Sequence, residues 1–203
     1  MFNYDDFKKL LSLLDQKLKE NELYIEVFAI GGFAMMCNAK TYGFNSRELS
    51  IDIDTYMSYS EDVLNLVDEV SSEFEILTER WLNTHWYDKK DGFDDVIESF
   101  SDWKWEKSED LVFSNIELYY ANLEGLLKMK LSAINEKLEL DQLRQDLHFG
   151  IEPVGTSVRI NDLIDVKTIL AVLKEDSLQD VKNAKIKKMF AEYEQAFEYL
   201  KNN

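Results

Sequence analysis

The sequence predicts an α/β (α+β) protein in which a small mixed sheet with flanking helices is followed by a helical C-terminal region. Three observations carry this. Runs of helical period alternate with short strand-like runs through residues 1–138. From residue 139 to 203 the apolar pattern is helical only, with Gly150, Pro153 and Gly155 as clustered breakers. The composition, 45% hydrophobic and 13% aromatic with seven Gly and one Pro in 203 residues, supplies a core and few loop formers. The expected division is a core at 1–138 and a helical region at 139–203.

The elements follow in order. Phe7, Leu10, Leu11, Leu14 and Leu18 recur at helical spacing between charged residues over 5–20. Residues 24–30 read as a strand ended by Gly31-Gly32, and 33–39 as a helix leaving that turn. Residues 50–57 alternate, with Ile51, Ile53 and Met57 on one face and Asp52, Asp54 and Tyr56 on the other. Residues 61–74 return to helix through Val63, Leu64, Leu66, Val67 and Val70. All four tryptophans (Trp81, Trp86, Trp103, Trp105) fall in an acidic stretch of unreadable period. Residues 111–120 read as a strand, and 123–138, 161–175 and 179–201 as helices.

The net charge is −17, from 40 acidic against 23 basic side chains, which disfavours general binding to phosphate backbones. The one dense basic stretch, Lys182, Lys185, Lys187 and Lys188, reads as a solvated helix face, with contact to a polyanion as the alternative. The single cysteine, Cys37, excludes an internal disulfide framework and fits a reducing compartment. No apolar run approaches the ~20 residues that span a bilayer, and residues 1–6 show no secretion signal. A cytoplasmic protein without membrane contact is expected. His85 and His148 have no Cys or second His at zinc-ligand spacing. Neither a phosphate-binding Gly-x-x-x-x-Gly-Lys loop nor a Gly-x-Ser-x-Gly elbow is present.

Asp52 and Asp54 carry the most chemistry. Carboxylates at i and i+2 on a strand share a side, about 7 Å apart. Their mutual repulsion would be relieved by bound Mg²⁺ or Mn²⁺, and a two-metal arrangement would serve a phosphoryl displacement. A solvent-facing polar strand edge gives the same Asp-x-Asp. Gly31-Gly32 adds a place where backbone amides at a helix N-terminus can meet a triphosphate, although an ordinary tight turn has the same glycines.

Ile30-Gly31-Gly32-Phe33-Ala34, followed by Arg47 and Ser50-Ile51-Asp52-Ile53-Asp54, resembles the Gly-Gly/Asp-Ile-Asp core of polymerase-beta-like nucleotidyltransferases. It is more closely similar to the bacterial minimal and abortive-infection toxin-like branch found in toxin–antitoxin systems. There the strand reads Arg, one residue, Thr, one residue, Asp-Ile-Asp; here Ser50 stands for Thr and Arg47 lies one residue early. Trp81-Leu82-Asn83 and Met129-Lys130-Leu131-Ser132-Ala133 also resemble segments of that branch. Arg159 before Asn161-Asp162-Leu163-Ile164-Asp165 matches a later pattern in part.

The resemblance implies a nucleotidyltransferase fold and a magnesium-dependent transferase moving a nucleoside monophosphate from an NTP to an acceptor hydroxyl. The acceptor would be a tRNA, a protein or a cationic small molecule, and a cognate antitoxin would be a partner. Asp52 and Asp54 would bind metal. Glu117, the one acid on its strand face with Phe113, Asn115 and Tyr119, would complete the metal site and act as base. Gly31, Gly32, Ser50, Arg47 and Lys130 would hold the nucleotide. The alternatives are a catalytically inactive relative that binds nucleotide or a partner protein, and a structural interaction protein whose acidic face meets a basic partner.

Overall fold

The computed structural model describes residues 1–46, 49–74, 80–84, 105–147, 158–175 and 182–202. Among these residues the protein is mixed α/β, with two compact units, Met1–Asn122 and Leu123–Asn203.

In the first unit, Asn3 caps helix α1 (Tyr4–Glu20) in a reciprocal capping box with Asp6. The α1 face formed by Phe7, Leu10, Leu11, Leu14 and Leu18 is fully buried, worth roughly 1.5–3 kcal/mol for each side chain. Strand β1 (Ile25–Ile30) runs directly into α2 (Gly31–Tyr42), so the expected turn at Gly31-Gly32 is the first turn of the helix itself. Helix α2 ends at Gly43, in the left-handed region that suits a helix C-terminus. Strand β2 (Ile53–Thr55) precedes α3 (Glu61–Glu73), which Ser60 caps. Strands β3 (Leu82–Asn83), β4 (Trp105–Lys107) and β5 (Ile116–Ala121) complete the sheet.

The strand order is β3-β2-β1-β5-β4. Strand β1 pairs parallel with β5 and antiparallel with β2, while β2–β3 is parallel and β4–β5 antiparallel. The alternation of burial separates two faces. Ile25, Val27, Ala29, Ile53, Thr55, Leu82, Ile116, Leu118 and Tyr120 are buried. Helix α2 lies on that side: Thr41 hydrogen-bonds the Tyr120 hydroxyl at 2.8 Å, and the Asn38 amide donates to the Ala121 carbonyl at 2.9 Å. Helix α1 reaches α2 through Phe7, whose ring meets Phe33 edge-on at 5.1 Å. The opposite face carries Glu26, Phe28, Asp54, Tyr56, Asn83, Trp105, Lys107, Glu117 and Tyr119, none of them buried.

Two strands are shorter than their sequence patterns. Ser50 exchanges both backbone hydrogen bonds with Phe2, at 2.7 and 2.9 Å, as an isolated bridge. Ile51 is 58% exposed rather than in the core, and β2 begins only at Ile53, whose N–H reaches the Trp81 carbonyl. The stretch before Ile116 is held as loop: Ser108 Oγ accepts from the Leu111 N–H, and Asp15 accepts from the N–H groups of Ser114 and Asn115.

The second unit is helical: α4 (Leu123–Leu147), α5 (Ile160–Val172), α6 (Ala184–Glu192) and α7 (Glu194–Asn202). The single helix expected over 179–201 is interrupted at Tyr193, where φ is −118° and ψ 57°. Among the described residues, no helix is long and apolar enough to cross a membrane.

Candidate functional site

Strand β2 places Asp54 beside Ile30, the last residue of β1, and beside Asn83 on β3. Ile30 is the N-cap of α2 and supplies no capping side chain. The first-turn amides and the positive end of the helix dipole therefore lie at the edge where Asp54 sits. Gly31 opens the helix at φ +64°, a conformation that glycine adopts without strain. A Cβ there would collide with Oδ2 of Asp54 and lie 3.2 Å from its Cγ. The carboxylate thus rests directly on the glycine backbone, and both the missing side chain and the left-handed φ are needed.

Asp52 lies immediately before β2. The Asn83 side-chain amide donates to Asp52 Oδ2 at 3.0 Å and to Asp54 Oδ1 at 3.2 Å, so one NH₂ group holds both carboxylates together. All three residues are partly exposed. Asn83 belongs to the Trp81-Leu82-Asn83 segment, in which sequence reasoning gave Asn83 itself no role. Its parallel pairing with β2 is what brings it to the aspartates, and a β2–β3 pairing between segments separated by α3 is not readable from local pattern.

Glu117 is placed elsewhere. It pairs with Glu26, four residues along β1 from the Ile30 that pairs with Asp54. That offset is about 13 Å along the strand, with two inter-strand spacings of about 4.8 Å added across the sheet. Its carboxylate accepts from the Tyr24 hydroxyl at 2.8 Å and is ion-paired with Lys107. These partners, Lys107 first, hold its pKa down to about 2 from 4.5, while the bond to Glu117 pushes Tyr24 up to about 12. Counting on in register, the β5 residue at the level of Ile30 is Ala121, which has no carboxylate. Among the described residues, no group of three or more His, Cys, Asp or Glu side chains is placed to hold a metal ion.

The remaining candidates are distributed as follows. Gly31 and Gly32 are buried, the first beneath Asp54. Ser50 is nearly buried, with its backbone engaged by Phe2. Arg47 lies outside the described residues, as do His85, Trp86, Trp103, His148 and the breaker cluster at 150–155. In the second unit, Lys130 is buried and its ammonium bonds Asp162 at 2.7 Å and Asp165 at 2.9 Å, both also buried. Asp162 and Asp165 thus tie α5 to α4 through one lysine. Cys37 is buried at 2% exposure, and burial pushes its thiol pKa up, away from thiolate chemistry.

The donor set at Asp52 and Asp54 fits Mg²⁺ or Mn²⁺. Magnesium is commonly held by one or two carboxylates, with substrate phosphates and water filling the octahedron. The site offers two carboxylates beside the positive end of a helix whose own N-cap residue supplies no capping side chain, where phosphate oxygens are favoured. No protein-family model, curated protein or solved structure matches the chain.

Proposed function

We propose that the protein is a metal-dependent nucleotidyltransferase, acting in the cytoplasm, that moves a nucleoside monophosphate from an NTP to an acceptor hydroxyl. The observation that carries this reading is the seating of Asp54 on Gly31 at the left-handed start of α2, with Asn83 joining Asp54 to Asp52. Asp52 and Asp54 hold the metal, and the first-turn amides of α2 receive the triphosphate. A divalent ion bound there supplies charge neutralisation for the phosphates and Lewis-acid polarisation of the α-phosphate. The acceptor oxygen attacks the α-phosphorus, the bond to the pyrophosphate oxygen breaks, and the acceptor proton leaves to water. Asn83 fixes the separation of the carboxylates; Ser50 and Arg47 flank them in sequence.

One observation favours a second reading, a catalytically inactive relative that binds metal–NTP or a partner protein. Glu117, the expected third carboxylate and base, is committed to Lys107 and Tyr24. Incubation with α-³²P-labelled NTPs and Mg²⁺ or Mn²⁺ separates the two readings. Acceptors would be tRNA, an aminoglycoside as cationic small molecule, adenosine and tyrosine amide as planar hydroxyl compounds, the protein itself, and a co-purified antitoxin where one is found. Labelled acceptor formed by wild type and lost in Asp52→Asn/Asp54→Asn supports transfer. NTP binding without labelled acceptor supports the inactive relative, and the absence of both overturns the reading of the site.

A further inference from the structure

The sheet face that carries Asp54 continues away from Gly31 into an aromatic group. Tyr56, the residue just past the end of β2, is two residues beyond Asp54, about 7 Å away, and its N–H bonds the Phe28 carbonyl at 2.9 Å. By the β1–β2 register it lies level with Phe28, which pairs with Tyr119 on β5. Phe28 and Tyr119 stack with centroids at 4.9 Å and planes 11° apart. Trp105, from β4, meets Phe28 edge-on at 5.1 Å and reaches Tyr56 at 6.2 Å. All four rings are partly exposed, unlike the aromatic Tyr120 on the other face. Past them the face ends in carboxylates, with exposed Glu26 beside Glu117.

Resting on the transfer reading above, we propose that these four rings form the acceptor subsite, and that the acceptor hydroxyl is carried by a planar aromatic or heteroaromatic compound without phosphates. In phosphoryl transfer the attacking and leaving oxygens are roughly in line. With the leaving pyrophosphate at the α2 N-terminus, beyond the end of β1, the nucleophile enters from the opposite side of the carboxylates. That side is occupied by Tyr56, Phe28, Tyr119 and Trp105. Ring faces and edges there bind a planar group by stacking and edge-to-face contact, and a hydroxyl a few bonds from the ring spans one pleat to Asp54. Glu26, with the net charge of −17, repels a phosphate-bearing acceptor. In the transfer step the acceptor O–Pα bond forms, the Pα–O bond to pyrophosphate breaks, and the hydroxyl proton passes to water.

Calorimetric titrations of the full chain test this. Mg²⁺–tripolyphosphate probes the metal–phosphate site alone. Adenosine, uridine and tyrosine amide, with sorbitol as the non-planar polyol, are then titrated into protein saturated with Mg²⁺–tripolyphosphate and, separately, with Mg²⁺–ATP. The expected result is that at least one ring compound binds ten times more tightly than sorbitol in both loaded states. Tyr119→Leu should cut that affinity about tenfold relative to its own tripolyphosphate affinity, the scale of one lost stacking partner. Should Tyr119→Leu not fold, the wild-type comparison still decides. Equal binding of sorbitol and every ring compound overturns the inference and leaves the transfer reading standing. Ring compounds that bind the tripolyphosphate form but are displaced by ATP assign the rings to the donor base and overturn it likewise. Failure of Mg²⁺–tripolyphosphate to bind removes the transfer reading itself.

Discussion

Replacing Gly31 by alanine tests the seat of Asp54 directly, because Gly43 provides an internal control in the same unit. Both glycines have positive φ, +64° and +70°. A Cβ on Gly43 has nothing within 4 Å, whereas one on Gly31 would collide with Oδ2 of Asp54 and lie 3.2 Å from its Cγ. Gly43→Ala should therefore show only the left-handed backbone cost, about 1–2 kcal/mol. Gly31→Ala carries the same cost and must also displace the Asp54 carboxylate, whose bond from Asn83 at 3.2 Å is then lost. A net hydrogen bond to a charged group is worth about 1.5–3 kcal/mol when buried, and less at this partly exposed site. An extra loss of about 1 kcal/mol is expected. Urea unfolding followed by far-ultraviolet circular dichroism measures both variants, and Mn²⁺ titration measures the site. Gly31→Ala should weaken Mn²⁺ binding at least tenfold while Gly43→Ala leaves it unchanged. In an Asp54→Ala background the two glycine substitutions should become equal in stability cost. If they are already equal in the wild-type background, and Mn²⁺ affinity survives Gly31→Ala, the contact does not position Asp54.

Asn83→Leu removes the amide that joins the two carboxylates, and should weaken Mn²⁺ binding severalfold with little change in circular dichroism; unchanged affinity would limit Asn83 to a strand role. Lys130→Met leaves Asp162 and Asp165 buried without their cation, and should cost the helical unit about 3–5 kcal/mol in nucleotide-free thermal or urea unfolding; a loss confined to triphosphate affinity would instead assign Lys130 to phosphate. Glu117 has a folded pKa lowered from 4.5 to about 2, so its contribution is complete above about pH 4.5 and fades as pH falls towards 2. A carboxyl NMR titration should place its midpoint near 2, moving up in Lys107→Met, whereas a midpoint near 4.5 would contradict the ion pair. Cys37 should react with a thiol reagent only on unfolding, given its burial and raised pKa.

Local period made much of the fold legible. The apolar spacing of α1, the run of β1 into Gly31-Gly32 and the start of α4 at Leu123 were readable because each element alternates or repeats within its own residues. Helix α1 also carries its own start chemistry in the Asn3–Asp6 box. What escaped was set by pairing between distant segments. Ser50 and Ile51 alternate like a strand, yet Phe2 takes the backbone of Ser50 and β2 starts at Ile53. The same limit applied to the site. Asp52 and Asp54 announced themselves by spacing, and Gly31 by its place after a strand. Asn83 has an ordinary side chain whose role depends on β3 lying against β2. Glu117 has the right chemistry and the right face, but its distance from Asp54 is fixed by a register that no local pattern encodes. Lys130 stood out as a cation on a helix; its two carboxylate partners come from α5, and only the folded helical unit reveals that they consume its charge.

In the proposed function, Asp52 and Asp54 together hold a divalent ion with a triphosphate. The most direct measurement is electron paramagnetic resonance of Mn²⁺ titrated into the protein with a non-hydrolysable NTP, comparing wild type with Asp52→Asn/Asp54→Asn. Wild type should show protein-bound Mn²⁺ that tightens when the NTP is added, and the double variant should lose that binding with its circular dichroism unchanged. Equal Mn²⁺ binding by the two proteins, with or without NTP, would contradict it.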